Sequence, residues 1–427
     1  MRKMLHIRCM CKRWIIFFAG LWSVLMGSIY GIEKPRGFIP DSLQAIINEP
    51  LSEVDTLPYI NQIKTPEFLK TSWGNQVVFG WMAFQRKNFI QCEQQWQKAL
   101  KTLLPMDLNK VLIKNLCKIY KTLQSPIRFL LYEKYVEAFP KEQDVPRVHL
   151  TLGYHYLNYQ AFDRALSHYY KVLNGTFNVD QTHLEEYEKY VIWAQLGIAQ
   201  VYLEQKKYEE AFEFFSKIHF KNADATILAD ILHKRALCAY CSEYTDEAVK
   251  LLEKYCDLPV DTAEMPEAYY YLIHAYKKLN EKDKVLETIF TLLRLGQKKR
   301  IEQANHWQIW DRYQKLSASE IAQDFYREGN LIEAVKLYQA LVDMNKSPDW
   351  QWPILCQIGL CYERLGLSIK SKAAYELIAE ATDQWNDIAI QWTEDLRNYQ
   401  LQAQWHLDQI KTYEKIKLNF EQLVQTL

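Results

Sequence analysis

The chain has 427 residues, 49% of them hydrophobic and 24% charged, enough to bury a large core. Only 13 glycines and 13 prolines punctuate it against 14% aromatic residues, which argues against a strand-rich fold with many tight turns. Formal net charge is zero, but removing residues 1–31 leaves 47 basic residues against 52 acidic ones, without the basic footprint of a nonspecific nucleic-acid binder.

Residues 1–31 carry Arg2, Lys3, Arg8, Lys12 and Arg13 and no acid, followed by the uncharged run Trp14 to Gly31. This reads as an export signal, either a cleaved signal peptide or a retained membrane anchor. Bases ahead of the apolar run keep the N-terminus inside and place the body outside the cytoplasm. No cysteine follows the run at a lipoprotein attachment position. Residues 32–72 form a linker: Pro35, Pro40, Pro50, Pro58 and Pro66 withhold backbone donors and interrupt helices.

From about residue 73 to 381 the texture is paired amphipathic helices. In "LGYHYLNYQAFDRALSHYYKVLN", Gly153 and Ala165 are small residues that allow close helix approach. Tyr156, Phe162, Tyr169 and Val172 fill the space between, and the break at 158–161 is the turn. The same template holds Gly80, Phe89, Cys92, Trp96 and Ala99, and again Ala199, Tyr202, Tyr208, Ala211 and Phe215. Further copies centre on Ala322 and Gly359, with weaker ones at Cys117, Ala236 and Ile273. Pro126 stands where the second helix of the Cys117 copy begins, and the Ala236 copy reads one residue short in its turn. The markers 80, 117, 153, 199, 236, 273, 322 and 359 are spaced mostly 37 apart, with two long steps of 46 and 49 that read as insertions.

This helix–turn–helix pattern, with small residues at its eighth and twentieth positions, resembles the tetratricopeptide repeat (TPR). The resemblance implies an all-α, superhelical solenoid of about eight repeats. It also implies a concave groove lined by first helices, in which family members bind peptides. Carried over position by position, the groove residues are Trp81, Phe84 and Gln85, then Tyr154 and Asn158, then Gln200 and Glu204. His274, Lys277 and Lys278 follow, then Gln323, Tyr326 and Arg327, and finally Glu363 and Arg364. Aromatic groups early and cations late suit an extended segment with apolar and acidic portions. The asparagine–lysine clamp that some family members use on a terminal carboxylate is not reproduced. An exported chain of this kind also resembles bacterial TPR proteins of the cell envelope, and "FLLYEKYVEAFP" resembles their helix-end–proline boundary.

Residues 382–427 close the chain as a long helix. Trp385, Trp392, Tyr399, His406, Tyr413, Phe420 and Leu427 repeat every seven residues; Ala389, Leu396, Ala403, Ile410 and Val424 follow four behind, with Lys417 the polar exception. Such a seam serves either a cap over the last repeat or a coiled-coil helix for self-association.

No phosphate-cradling loop, nucleophile elbow or zinc-protease motif is present, so the chain reads as a non-enzyme without cofactor or metal. Cys238 and Cys241 form a C-x-x-C, but it lies late in a helix with no strand before it, the wrong setting for a redox pair. It reads as packing, as do Cys92, Cys117, Cys256, Cys356 and Cys361. His155 and His168 flank one turn without further metal ligands. Asn174 and Asn345 sit in glycosylation-type triplets, the first equally a plain Asn-Gly turn. Three functions stand open: a scaffold binding a protein or peptide in its groove, an oligomeric accessory subunit acting through the C-terminal helix, and a thiol redox protein.

Overall fold

The computed structural model describes residues 41–48, 50–51, 66–175, 184–219, 225–259, 262–302, 306–380 and 394–426. The leader, most of the proline-rich stretch, and Trp385, Ala389, Trp392 and Leu427 of the heptad series lie outside these residues. All regular structure among the described residues is α-helix, divided between two compact units, one running to Tyr244 and one starting at Thr245.

In the first unit, α1 (Asp41–Asn48) and α2 (Pro66–Lys70) precede four hairpins. These are α3 (Gly74–Gln85) with α4 (Phe89–Ala99), α5 (Met106–Thr122) with α6 (Ile127–Ala138), α7 (Val145–Asn158) with α8 (Phe162–Asn174), and α9 (Leu184–Glu204) with α10 (Tyr208–Lys217). The unit ends on α11 (Ala225–Cys241). The second unit starts with α12 (Thr245–Cys256). It continues as α13 (Met265–Lys278) with α14 (Lys282–Ile301), α15 (Trp307–Glu328) with α16 (Leu331–Met344), and α17 (Pro348–Arg364) with α18 (Ser368–Ala379), and closes on α19 (Glu394–Thr426). Each hairpin packs on the next within its unit, which is the TPR-like solenoid arrangement. All eight small-residue markers fall on first helices.

The turns explain why the repeats hold register. Seven residues after every marker the backbone is left-handed: Lys87, Gln124, Gln160, Lys206, Glu243, Asn280, Gly329 and Gly366 all have positive φ. One residue later, each N–H reaches back to the carbonyl three residues after the marker. Ser125 bonds Tyr120 at 2.8 Å, Ala161 bonds Tyr156 at 2.8 Å and Leu367 bonds Tyr362 at 2.9 Å. This is the Schellman closure, which satisfies carbonyls that a helix end would otherwise orphan. The Ala236 repeat is therefore not short: Glu243 takes the left-handed position and Thr245 opens α12, the same offsets as elsewhere. The Cys117 repeat is the one that differs, its second helix opening one residue late behind Pro126 at the N-cap.

Packing follows from the marker. Tyr169 of α8 lies where Cβ atoms on Gly153 and Gly197 would come within 2.6 Å and 2.4 Å of its ring, so two glycines make room for one buried tyrosine. Other tyrosines join neighbouring repeats. The residue three past the marker is tyrosine in five repeats, and each meets a polar group on the preceding repeat's second helix. Tyr120 donates to Glu93 at 2.5 Å and Tyr156 to Glu133 at 2.7 Å. Tyr202 meets Tyr170 at 3.3 Å, Tyr276 donates to Glu253, and Gln339 donates to Tyr362 at 3.2 Å. Each ring buries apolar area while its hydroxyl keeps a partner, which fixes both spacing and rotation between repeats.

Among the described residues, the second of the two long steps between markers adds helix. It lengthens α14 to 20 residues and α15 to 22. Buried Gln314 there donates to the Leu292 carbonyl at 3.0 Å and the Leu293 carbonyl at 2.6 Å. The first step leads into α9, 21 residues long, and its residues 176–183 lie outside the described set.

Candidate functional site

The sequence expectation concerns exposed positions of first helices. Trp81 does not meet it. Gly80 leaves space for the Trp96 ring, and Trp81 covers that ring at 6.5 Å between centroids and stacks on Phe84 at 5.6 Å. At 9% exposure Trp81 is a core residue of the first hairpin. Phe84 stays half-buried at the edge of the cluster and Gln85 is exposed.

Elsewhere in the first unit the face is open. Tyr154 is half-buried and Asn158 exposed on α7. On α9, half-buried Gln200 donates to exposed Glu204 at 3.0 Å, one turn along the same helix. Beside Tyr154, His155 stacks on Phe129 of the preceding hairpin at 3.5 Å and approaches Tyr159 at 4.7 Å, with the Arg128 guanidinium 4.7 Å from Phe129. Most informative is α1, which packs on α7 and sets Leu43 against the cluster that includes Leu150, Tyr169 and Trp193. A first helix thus already holds a short helical segment from outside the repeats.

In the second unit His274, Lys277 and Arg364 engage the neighbouring first helix, while Arg327 and Glu363 find partners elsewhere. His274 Nε2 lies 3.2 Å from Glu320, which also accepts from the Tyr270 hydroxyl at 3.4 Å. Lys277 pairs with Asp324, and Arg327 approaches the same carboxylate at 3.7 Å. Arg364 donates to the Tyr326 carbonyl at 2.9 Å and lies 4.7 Å from the Tyr326 ring. Glu363 is 2.9 Å from His406 of α19, whose ring stacks on Tyr375 at 4.7 Å. Gln323 is half-buried and Lys278 exposed. A partner's acidic group would have to compete with intramolecular carboxylates for Lys277 and Arg327, which weakens the expectation of an acid-binding stretch here.

Three features bear on chemistry. Cys238 is buried at the end of α11, and burial first, then Cys241, pushes its thiol up to about 12. A redox pair needs the reverse shift. The seven described cysteines are all unpaired by disulfide. Among the described residues no group of three or more histidine, cysteine or acidic side chains is placed to hold a metal. The sequence reading also missed a buried polar chain. His149 Nδ1 faces His168 Nδ1 at 3.0 Å, and His168 Nε2 faces Glu133 at 3.1 Å. Burial first, then His168 and Lys171, drives His149 down to about 3, so it is neutral at ordinary pH. Its signal in the sequence, two histidines 19 residues apart on the helices of one hairpin, acquires meaning only once their faces are known.

No protein-family model matches the chain, and no curated protein matches it. Among solved structures it is similar to PilF of Pseudomonas aeruginosa, at 17% identity over 52% of this chain and 91% of that one, with a TM-score of 0.31. A tetratricopeptide repeat protein from Parabacteroides merdae is 11% identical over 78% of this chain and 99% of its own, also at 0.31. The TPR domain of P58(IPK) is 15% identical over 79% and 99%, at 0.23. Likenesses this loose carry no argument about function. The TPR-like fold rests on the seven hairpins within the two units and on the turn that follows all eight markers.

Proposed function

We propose that the chain is a non-catalytic interaction scaffold whose first-helix face in the unit ending at Tyr244 holds a short segment of a protein partner. The single observation that supports this most is α1 seated on α7. Stacked hairpins offer first helices as an extended binding surface, and here one of them takes up an eight-residue helix through Leu43. Phe84, Gln85, Tyr154, Asn158 and Glu204 are the contact residues; Trp81 supports them from the core. In the second unit Lys277, Tyr326, Glu363 and Arg364 act chiefly to join neighbouring helices, and Arg327 leans on Asp324 of its own helix.

The test compares partner capture by the full chain and two folded variants. Phe84→Ala, Tyr154→Ala and Asn158→Ala together should weaken capture at least about tenfold, the range of a lost central contact set. Lys277→Ala, Arg327→Ala and Arg364→Ala together should change it by less than about twofold. The reverse pattern contradicts the proposal.

Export and service in the cell envelope belong to the same proposal and draw on sequence alone, the five bases ahead of Trp14–Gly31. Among the described residues no helix is long and apolar enough to cross a membrane. Mass spectrometry of the mature N-terminus, with fractionation of the cell, decides between cleavage, anchoring and no export.

A further inference from the structure

The closing helix has two halves with different surroundings. Along 394–410 it packs on α17 and α18, burying Leu396, Ala403, Leu407 and Ile410. From Lys411 to Gln422, and at Val424, every side chain is exposed. Tyr413, Ile416, Phe420 and Val424 stand 64%, 61%, 65% and 55% exposed on one side of this free stretch. Tyr413, Phe420 and Val424 continue the same heptad seam that Ala403 and Ile410 use against the cap, interrupted once by Lys417.

We infer that residues 411–426 pair with the same segment of a second copy of this chain, antiparallel. The charge at Lys417 selects this occupant and direction. Lys417 lies within the seam. In a parallel pair it would face its own copy, like charge against like in an apolar layer. In an antiparallel pair with residue 411 level with 426, Tyr413 faces Val424 and Lys417 faces Phe420, each contact occurring twice by symmetry. Lys417 then lies over an aromatic ring and beside the second copy's Glu421. In the single chain Lys417 is only 3.9 Å from its own Glu421, an exposed pair of small worth. The paired stretch is about 24 Å long, from sixteen residues at about 1.5 Å each.

The experiment is sedimentation equilibrium of the full chain across concentration. A reversible dimer in roughly the micromolar range is expected for so short a pairing. Phe420→Glu alters an exposed side chain, so folding checked by circular dichroism should hold while dimerisation weakens at least about tenfold. Lys417→Glu alone should also weaken it, and Lys417→Glu with Glu421→Lys should recover most of the loss. Direction is read by oxidising a mixture of Tyr413→Cys and Val424→Cys chains, in which mixed disulfides should predominate. A monomer up to about 100 μM, or a dimer indifferent to Phe420→Glu, overturns the pairing. Disulfides joining position 413 to itself overturn the antiparallel register. Because this pairing uses none of the first-helix residues, it can fail while the scaffold proposal stands.

Discussion

The first-helix faces of the two units are built from different residue types, aromatic and neutral in one and largely charged in the other, and used differently. In the unit ending at Tyr244, α1 rests on α7, the helix that carries Tyr154 and Asn158. In the unit starting at Thr245, Lys277, Arg327, Arg364 and Glu363 are bound to Asp324, the Tyr326 backbone and His406. A charged residue at a groove position is therefore not evidence of a ligand site by itself. What matters is whether the next first helix presents the complementary group. Where it does, the residue joins repeats together, and where it presents aromatic and neutral groups, the surface remains available.

The sharpest way to break the comparison is through packing. Gly153→Val pushes a branched side chain into the Tyr169 ring, already 2.6 Å from an added Cβ. It should cost roughly 3 kcal/mol in the first unit, read by urea unfolding, and abolish capture there. Acid is the next lever. His149 is held neutral down to about pH 3, whereas an unfolded histidine titrates near 6.5. The unfolded state thus binds more protons between those values, and stability falls as pH drops through that window. The effect should reach a few kcal/mol by about pH 4, and His149→Gln should flatten the slope, as followed by thermal melts.

Smaller changes probe the ladder and the turns. Asp324→Ala removes the partner of Lys277 and Arg327 and should cost about 1 kcal/mol or less without affecting capture. Leu43→Asp should loosen α1 from α7 and raise capture by about two- to fivefold if that helix shields the binding face. At the turns, Gln160→Gly relieves a left-handed non-glycine and should stabilise by about 0.5–1 kcal/mol. Gly366→Ala should do the opposite by a similar amount, since no atom lies near enough to clash and only backbone preference is lost.

Spacing made the hairpins readable because each marker is a small residue under a large one, and that pairing leaves a fixed interval in the sequence. The turns were half-readable. Gly329 and Gly366 announce a left-handed residue, but Lys87, Gln124, Lys206 and Glu243 carry no such sign, because long polar side chains tolerate the position at a modest cost. That is why the Ala236 repeat looked short. The tyrosines were readable as packing, whereas their hydroxyl partners on the preceding repeat were not, since those sit 23 to 32 residues away on a face that only stacking defines. The burial of Trp81 and the pairing of the cations escaped the sequence for one reason. A position on a helix can be read from periodicity, but its burial and its ion partners depend on what the adjoining helix brings to it.

The most direct test of the account places a photo-crosslinking amino acid at Tyr154 in one full-length chain and at Tyr326 in another, and compares adducts formed in cells. A defined adduct from position 154, with little or none from 326, is the predicted result. Equal adducts from both, or adducts from 326 alone, would show that partners bind where the ion-pair ladder runs and would contradict the assignment of the binding face to the first unit.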